Sequence, residues 1–405
     1  MKILMISSTF PYPPTKGGTQ VRTFHLMKYL SKNHQVTLVT QRSEDVTNEE
    51  IARLGEFVRE LKVFPRPTDS ESKQGILGKA KRFGQFIQQG IPPSVRSSYS
   101  QVMQAWIDEA VATGNFAAIT SEHSVNEIYV RPEWQTKLRA VVNIHSSVYG
   151  TCKHQLETQT SENKMRDNLN LPLLRRYEQQ YCEKFSAIAA TTEVDKRQLK
   201  VLNPDAQISV IPNGVDLNLF PMRSQDPGGR QLVFIGAMDN APNIDAVRFF
   251  SLSVFPEIRK RYPDASLDLV GARPVAEVEE LNTIDGITVT GRVPSMVDYL
   301  HQATICIVPM RTGFGIKNKT LEAMAAGIPV VGSDRGLEGL AVDGADVPLR
   351  AMRANDLEEY IYSISRLFDE PALRKKLSQN ARSLIEKQYT WERAGSRYEQ
   401  LVCDS

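Results

Sequence analysis

The chain reads as an α/β protein of two doubly wound domains, each a parallel sheet covered by helices. Three observations lead there. Apolar runs of strand length alternate with stretches of helical periodicity almost throughout, the pattern of consecutive βα units. The 405 residues are too many for one ordinary domain and suit two. A polar, glycine-rich break, SQDPGGR at 224–230, has the composition of a linker, and the alternation restarts after it.

The elements follow in order. Residues 2–7 form a first strand, and a loop with Pro11, Pro13 and Pro14, then Gly17 and Gly18, leads into a helix whose apolar stripe is Val21, Phe24, Met27 and Leu30. Residues 36–40 are the next strand. Ile51, Leu54, Val58 and Leu61 suit a second helix, and 62–64 a third strand. The stretch 65–100 is less regular, with Lys73, Lys79, Lys81 and Arg82 beside Phe83, Phe86 and Ile87. Residues 116–120, 140–144 and 187–190 read as later strands of the same sheet, which 208–211 closes. A turn at Pro212-Asn213-Gly214 precedes the second sheet, whose strands are 232–235, 267–270, 287–290, 304–308 and 329–332. Helices cover 356–387. A last one, around 391–402, carries Trp391, Tyr398 and Leu401 and has no strand after it.

Composition narrows the class. With 41% hydrophobic and 24% charged residues the chain has the balance of a soluble globular protein. A formal net charge of +2 excludes a strongly basic nucleic-acid binder. No run approaches the roughly 18 apolar residues of a membrane span. The first residues, MKILMISS, read as a strand rather than a signal peptide. Cys152, Cys182, Cys306 and Cys403 are far apart and lack metal-ligand spacing, so they read as reduced thiols of a cytoplasmic protein.

The most informative segment is PMRTGFGIKNKTLEAMAAGIPVV, residues 309–331. It places a loop with Arg311, Gly313, Phe314, Gly315, Ile316, Lys317, Asn318 and Lys319 after a buried strand. A short helix follows with Thr320 and Glu322 near its start, and Gly327 stops it. A helix start offers free N–H groups and a partial positive charge, here with two ammoniums beside it and a carboxylate within a turn. That arrangement suits a sugar nucleotide, with its diphosphate on the loop and its ribose on Glu322. Ligands of doubly wound sheets bind outside the carboxyl ends of the strands. Gly17 and Gly18 stand after a strand in the same way, as do Arg292 and Val293.

With these residues in hand, the chain resembles the GT-B fold glycosyltransferases, specifically the large retaining family 4, over nearly its whole length. GIKNKTLEAMAAGIPVV looks like the family's donor-site signature. IPNGVD at 211–216, FIGAMDNAPNIDAV at 234–247, GRV at 291–293, NIHSS at 143–147 and TTEVD at 191–195 stand around it in the family's order. The MDNAPN and GIKNKTLEAMA forms resemble a bacterial branch associated with exopolysaccharide assembly. The resemblance implies two Rossmann-like domains facing across a cleft. Residues 1–211 would form the acceptor side, with the helix 391–405 packing back on it, and 212–390 the donor side.

It also implies a retaining, metal-independent hexosyl transfer from a nucleoside-diphosphate sugar, UDP- or GDP-linked, to a glycan or lipid-linked glycan. His145, Glu322 and Lys319 would serve the reaction. Gly17, Gly18, Arg292, Val293, Arg311, Gly313, Phe314, Gly315, Ile316, Lys317, Asn318, Thr320 and Glu322 would hold the donor. No cofactor, metal or nucleic acid is expected. The basic and apolar stretch 73–87 has two readings, a membrane-facing helix at the inner leaflet or a solvated helix packed by its aromatics.

The sequence departs from the family twice. A glutamate is usual eight residues before the one matching Glu322, and position 314 is Phe. An Arg and a Lys are usual just after the first strand of the second domain. The stretch Ala237-Met238-Asp239-Asn240-Ala241-Pro242-Asn243 has neither. Lys317, Lys319 or Arg311 is expected to supply the charge instead.

Each candidate also has a purely structural reading. Glu322 and Lys319 suit a helix start and a surface ion pair, His145 and His123 suit strand ends, Gly17-Gly18 suits a turn, and Arg292 and Glu338 suit ordinary loops. Three rival functions remain. A sugar-nucleotide epimerase on the same fold needs an acid and base carboxylate pair that is not evident. A non-catalytic nucleotide-sugar-binding subunit would tolerate Phe314. A nicotinamide dehydrogenase needs a G-x-G-x-x-G that the first strand and helix lack.

Overall fold

Alternate residues of the first strand go to opposite faces of one sheet. Ile3 and Met5 join one apolar cluster and Leu4 and Ile6 another, the period of two that burial on both faces imposes. The computed structural model describes residues 1–15, 17–67, 84, 86–88, 90–158, 161, 163–313 and 315–404. Phe314 and most of the basic, apolar stretch 73–87 lie outside the described residues. The chain divides into two units, Met1–Pro212 with Trp391–Ser405, and Asn213–Thr390.

The first unit holds strands β1 (Lys2–Ser7), β2 (Gln35–Arg42), β3 (Glu60–Pro65), β4 (Ala118–Glu122), β5 (Arg139–Ile144), β6 (Ala187–Ala190) and β7 (Ile208–Val210). They form one sheet in the order β3-β2-β1-β4-β5-β6-β7, with every pairing parallel. Parallel neighbours need crossovers, which the intervening helices provide. The order reverses between β1 and β4, so the loops after these two strands diverge at that point.

One face is closed from both ends of the chain. Helix Gly18–Leu30 buries Leu26, Met27 and Leu30, and the C-terminal helix Trp391–Cys403 buries Trp391, Tyr398, Leu401 and Val402 in the same cluster. Gly395 lets the two helices touch, since a Cβ there would lie 2.2 Å from Cγ of Tyr29. Trp391 stacks on His25 with ring centroids 4.5 Å apart. Deeper in, the Tyr398 hydroxyl donates to Oε1 of Glu122 at 2.5 Å. Nδ2 of Asn143 donates to the other Glu122 oxygen at 2.8 Å, and Arg22 Nε donates to Oδ1 of Asn143 at 3.0 Å. Arg22, Glu122 and Asn143 are fully buried. The stripe expected on this helix omitted Arg22, because an arginine beside Val21 reads as surface. A partnered acceptor at the strand end admits it.

The second unit holds β8 (Gln231–Ile235), β9 (Ser266–Val270), β10 (Ile287–Gly291), β11 (Ile305–Val308), β12 (Val330–Gly332) and β13 (Met352–Arg353). Their order is β10-β9-β8-β11-β12-β13, again parallel, with the reversal between β8 and β11. Phe234, Leu269, Ile307, Val331 and Leu321 share one core. The two-residue edge strand β13 had no counterpart in the expected strands, since so short a segment carries no alternation to detect.

Replacing Gly395 by Val is expected to separate the C-terminal helix from Tyr29 and cost about 1–3 kcal/mol, as overpacking does. Urea unfolding of the variant beside the wild type measures it, and an unchanged midpoint would show that this contact does not hold the helix.

Candidate functional site

Strands buried on both faces leave their carboxyl ends for chemistry, and the divergence of loops where the strand order reverses opens room there. In the second unit those ends belong to β8 and β11. After β8, Gly236 has a φ of 155° and donates its N–H to Val270 O at 3.0 Å. A Cβ on Gly236 would lie 2.9 Å from Nζ of Lys319 and 2.9 Å from Nδ2 of Asn243. The glycine therefore makes room for an ammonium. Lys319 Nζ donates to Oδ1 of Asn243 at 2.6 Å and stands 3.9 Å from the centroid of the Phe234 ring, a cation–π contact. Asn243 is itself held by Ala237 O, to which its Nδ2 donates at 2.8 Å.

Lys319 lies in the first turn of helix Asn318–Ala325, whose start at Lys317 has no side-chain cap. Glu322 follows three residues later on the same face. It is half-buried and accepts no hydrogen bond among the described residues. Burial pushes the Lys319 ammonium down to about 7 against the attraction of Glu322. Burial likewise pushes the Glu322 carboxyl up to about 7 against the pull of Lys319. Both groups therefore titrate near neutrality and influence one another. An anion arriving beside Lys319 would restore its charge.

The other loop cations are engaged elsewhere. Arg311 forms a two-point pair with Asp245 and lies 4.8 Å above the Phe249 ring. Lys317 Nζ donates to Gly315 O at 2.6 Å and approaches Glu338 at 3.5 Å, where Arg335 also binds at 2.9 Å. Gly313 and Gly315 have φ of 88° and 74°, conformations that favour glycine. Ile316 is buried in the core. Asn318 accepts from Asn213 at 3.0 Å, and the Thr320 hydroxyl donates to Gly336 O at 2.8 Å. Arg292 is exposed and Val293 packs at the core's margin, both after β10. That strand lies two places from β8, roughly 10 Å away. Sequence reasoning missed Asn243 and Arg273. The Arg273 guanidinium forms a two-point pair with Asp239 in the loop after β8. Gly236 at a strand end was the one available signal for the close approach.

In the first unit, Gly17 is extended and Gly18 opens a helix with no side-chain cap, and a Cβ on Gly18 would meet nothing. His145 follows β5. Its Nδ1 lies 3.4 Å from the Thr19 hydroxyl, and its buried Nε2 has no hydrogen-bond partner among the described residues. The His123 ring meets it edge-on at 4.7 Å. Burial, then His123 and Arg22, push His145 well below the usual imidazole range, and burial pushes His123 down to about 4. Both rings are neutral at physiological pH. The structure thus gathers Lys319, Glu322 and Asn243 at one strand end, and Gly18, Thr19, His123 and His145 at another.

Ring NMR signals of His123 and His145 are expected to keep neutral shifts from pH 8 down to pH 5. Titration of either near 6.5 would mean that water reaches it freely.

Comparison with known proteins places this geometry. Residues 16–219 match the family model described as Glycosyltransferase Family 4, and residues 229–370 match one described as Glycosyl transferases group 1. The chain is 23% identical over 303 residues to a lipopolysaccharide 1,2-N-acetylglucosaminetransferase of Salmonella typhimurium, covering 69% of this chain and 77% of that one. It is 28% identical over 231 residues to a D-inositol 3-phosphate glycosyltransferase of Nocardiopsis dassonvillei, covering 51% and 53%. A GDP-mannose-dependent monoacylated alpha-(1-6)-phosphatidylinositol monomannoside mannosyltransferase of Corynebacterium glutamicum is 26% identical, covering 47% and 55%. The chain thus spans about half the length of the latter two. Sucrose-phosphate synthase from Thermosynechococcus elongatus superposes with a TM-score of 0.70 at 18% identity, covering 99% and 98%. Anabaena HepE in complex with UDP-glucose superposes with a TM-score of 0.65 at 13% identity, covering 100% of both chains. At such identities the likeness shows the fold, which is GT-B. With a family model spanning half its length and a second one following it, the chain belongs to glycosyltransferase family 4.

Proposed function

We propose that the chain is a retaining glycosyltransferase that moves a hexosyl unit from a nucleoside-diphosphate sugar to a glycan or lipid-linked glycan. It acts without a metal ion, in the cytoplasm, and at the membrane face where the acceptor is lipid-borne. The observation that carries the reading is the Lys319 ammonium, seated at the carboxyl end of β8. The neighbouring loop 237–243 contains no cation of its own, and Lys319 brings one there through the fold. A nucleotide diphosphate lies against Lys319 and the uncapped start of helix Asn318–Ala325. Glu322 accepts a ribose or sugar hydroxyl. His145, neutral and with an unpartnered Nε2, meets a substrate hydroxyl.

The chemistry then asks little of a protein base. The bond from C1 to the diphosphate oxygen breaks and a bond from C1 to the acceptor oxygen forms on the same side. The acceptor proton passes to the departing phosphate oxygen. Charge accumulates on the diphosphate, where an ammonium in a partly dry site contributes on the order of a few kcal/mol. UDP is the first donor nucleotide to test, because HepE is solved with UDP and UDP-glucose. GDP is second, from the name of the Corynebacterium relative. The name of the Salmonella relative supports a role in assembling bacterial surface polysaccharide.

UDP and UDP-glucose are expected to raise the melting temperature more than GDP or ADP, with the Lys319→Met variant binding UDP about ten- to a hundredfold more weakly. Full UDP affinity in that variant would sink the donor assignment. The free lysine loses its proton above about 7, so binding there requires proton uptake. The UDP dissociation constant is expected to rise with pH from 7 to 9, by up to about tenfold per unit, and to lose this slope in Lys319→Met.

With donor and acceptor present, a chelator is expected to leave the initial rate unchanged, and NMR of the product should show the donor's anomeric configuration. An inverted anomer would overturn the retaining mechanism. Conversion of the donor sugar without acceptor would indicate an epimerase instead.

A further inference from the structure

Among the described residues other than glycine, Asn115, Arg273 and His123 have positive φ, and His123 has the largest, 81° with a ψ of 141°. A Cβ is crowded by its own backbone in that conformation, so the position favours glycine. Such a backbone persists only where its surroundings hold it. The His123 N–H donates to Asn143 O on β5 at 3.0 Å, and its carbonyl accepts from Asn126 N at 3.1 Å. Asn126 is buried, takes the Ser8 N–H at 2.8 Å and donates to Glu122 O. The Val125 N–H donates to Nδ1 of His123 at 3.3 Å. The neutral ring is thereby oriented and carries its proton on Nε2.

Capping the turn does not require an imidazole, since Asn, Asp or Ser caps at least as well. What the imidazole adds is its contact with His145, whose ring it meets edge-on with centroids 4.7 Å apart. His145 needs such a neighbour. Its backbone is anchored, because the Thr191 hydroxyl donates to His145 O at 2.9 Å. Its ring has only the Thr19 hydroxyl, 3.4 Å from Nδ1, and its Nε2 has no partner among the described residues. A histidine that acts on a substrate is ordinarily oriented by a hydrogen bond to its far nitrogen. Here that bond is long, and packing against His123 takes its place.

We propose that His123 is a positioning residue: its ring, held on a strained backbone at the end of β4, fixes the His145 imidazole and keeps water from it, leaving Nε2 for the substrate hydroxyl. The inference rests on the reading that His145 meets substrate, and His123 acts through His145. The strain is what it costs to set an aromatic ring where the backbone favours glycine.

His123→Gly in the full chain tests it. With the strain relieved, the melting temperature is expected to stay level or rise, the reverse of what loss of a fold-holding side chain gives. The His145 ring signal, assigned by its absence in His145→Gln, is expected to lose its neutral shift. Burial eases and the His123 ring no longer opposes the charge, so the titration midpoint rises into about pH 5–7. The other groups there are unaltered: Arg22 still opposes the charge, and Glu122 stays engaged by Tyr398 and Asn143. His123→Phe keeps a ring in place and is expected to leave the His145 signal neutral. Release of UDP from UDP-glucose is expected to fall about tenfold or more in His123→Gly, with UDP affinity unaltered. The melting and ring measurements need no substrate, so they decide this inference even where UDP-glucose is not the donor. A lowered melting temperature, a His145 ring that keeps its neutral shift in His123→Gly, or undiminished UDP release would overturn the proposal.

Discussion

An ammonium seated where a side chain would otherwise stand organises the second unit. Gly236 carries no Cβ, and Lys319 occupies the space left over the Phe234 ring at the end of β8. Several neighbours depend on this. Asn243 turns its amide to hold both Lys319 and Ala237 O. Helix Asn318–Ala325 must start where its first turn reaches β8. Thr320 and Gly336 tie that start to the loop after β12. The cost is a cation in a half-buried place, which is why its proton is held loosely. Such a group gains most when an anion arrives, because the anion replaces the solvation that burial removed.

The first unit solves a related problem with opposite means. A fully buried carboxylate, Glu122, sits at the end of β4 and is satisfied by Tyr398 and Asn143, with Arg22 behind. Burial raises its pKa while these donors lower it. The last helix of the chain thus supplies a hydrogen bond at the strand end beside His123 and His145. The two ends of the chain meet on one face of this sheet through packing against Tyr29 and His25.

Much of this was legible in the amino-acid order, for physical reasons. Strands buried on both faces are continuous apolar runs, so 2–7, 232–235 and 304–308 stand out. Gly327 marks a helix end because its φ of 75° suits glycine. Other features were not legible. Arg22 reads as a surface residue until Asn143, 121 positions away, supplies its acceptor. Arg311, Lys317 and Lys319 were alternatives for the diphosphate's counter-charge, with Lys319 alone also expected to serve the reaction. Asp245 and Glu338 engage the first two, and Lys319 lies under Gly236. The partners that separate them are remote in sequence, and spacing alone carries no such information. The neutral state of His145 has the same origin, since burial and the His123 ring set it.

The sequence by itself determined the class of fold and the number of domains, and it singled out residues 309–331 as the candidate donor segment. Periodicity, glycine and charge are local properties, and they survive as patterns in the letters. Strand order was decided only in three dimensions, because it depends on which crossovers pack. So was the identity of the cation at the end of β8. These depend on distances between residues far apart in the chain, and only close packing sets such distances.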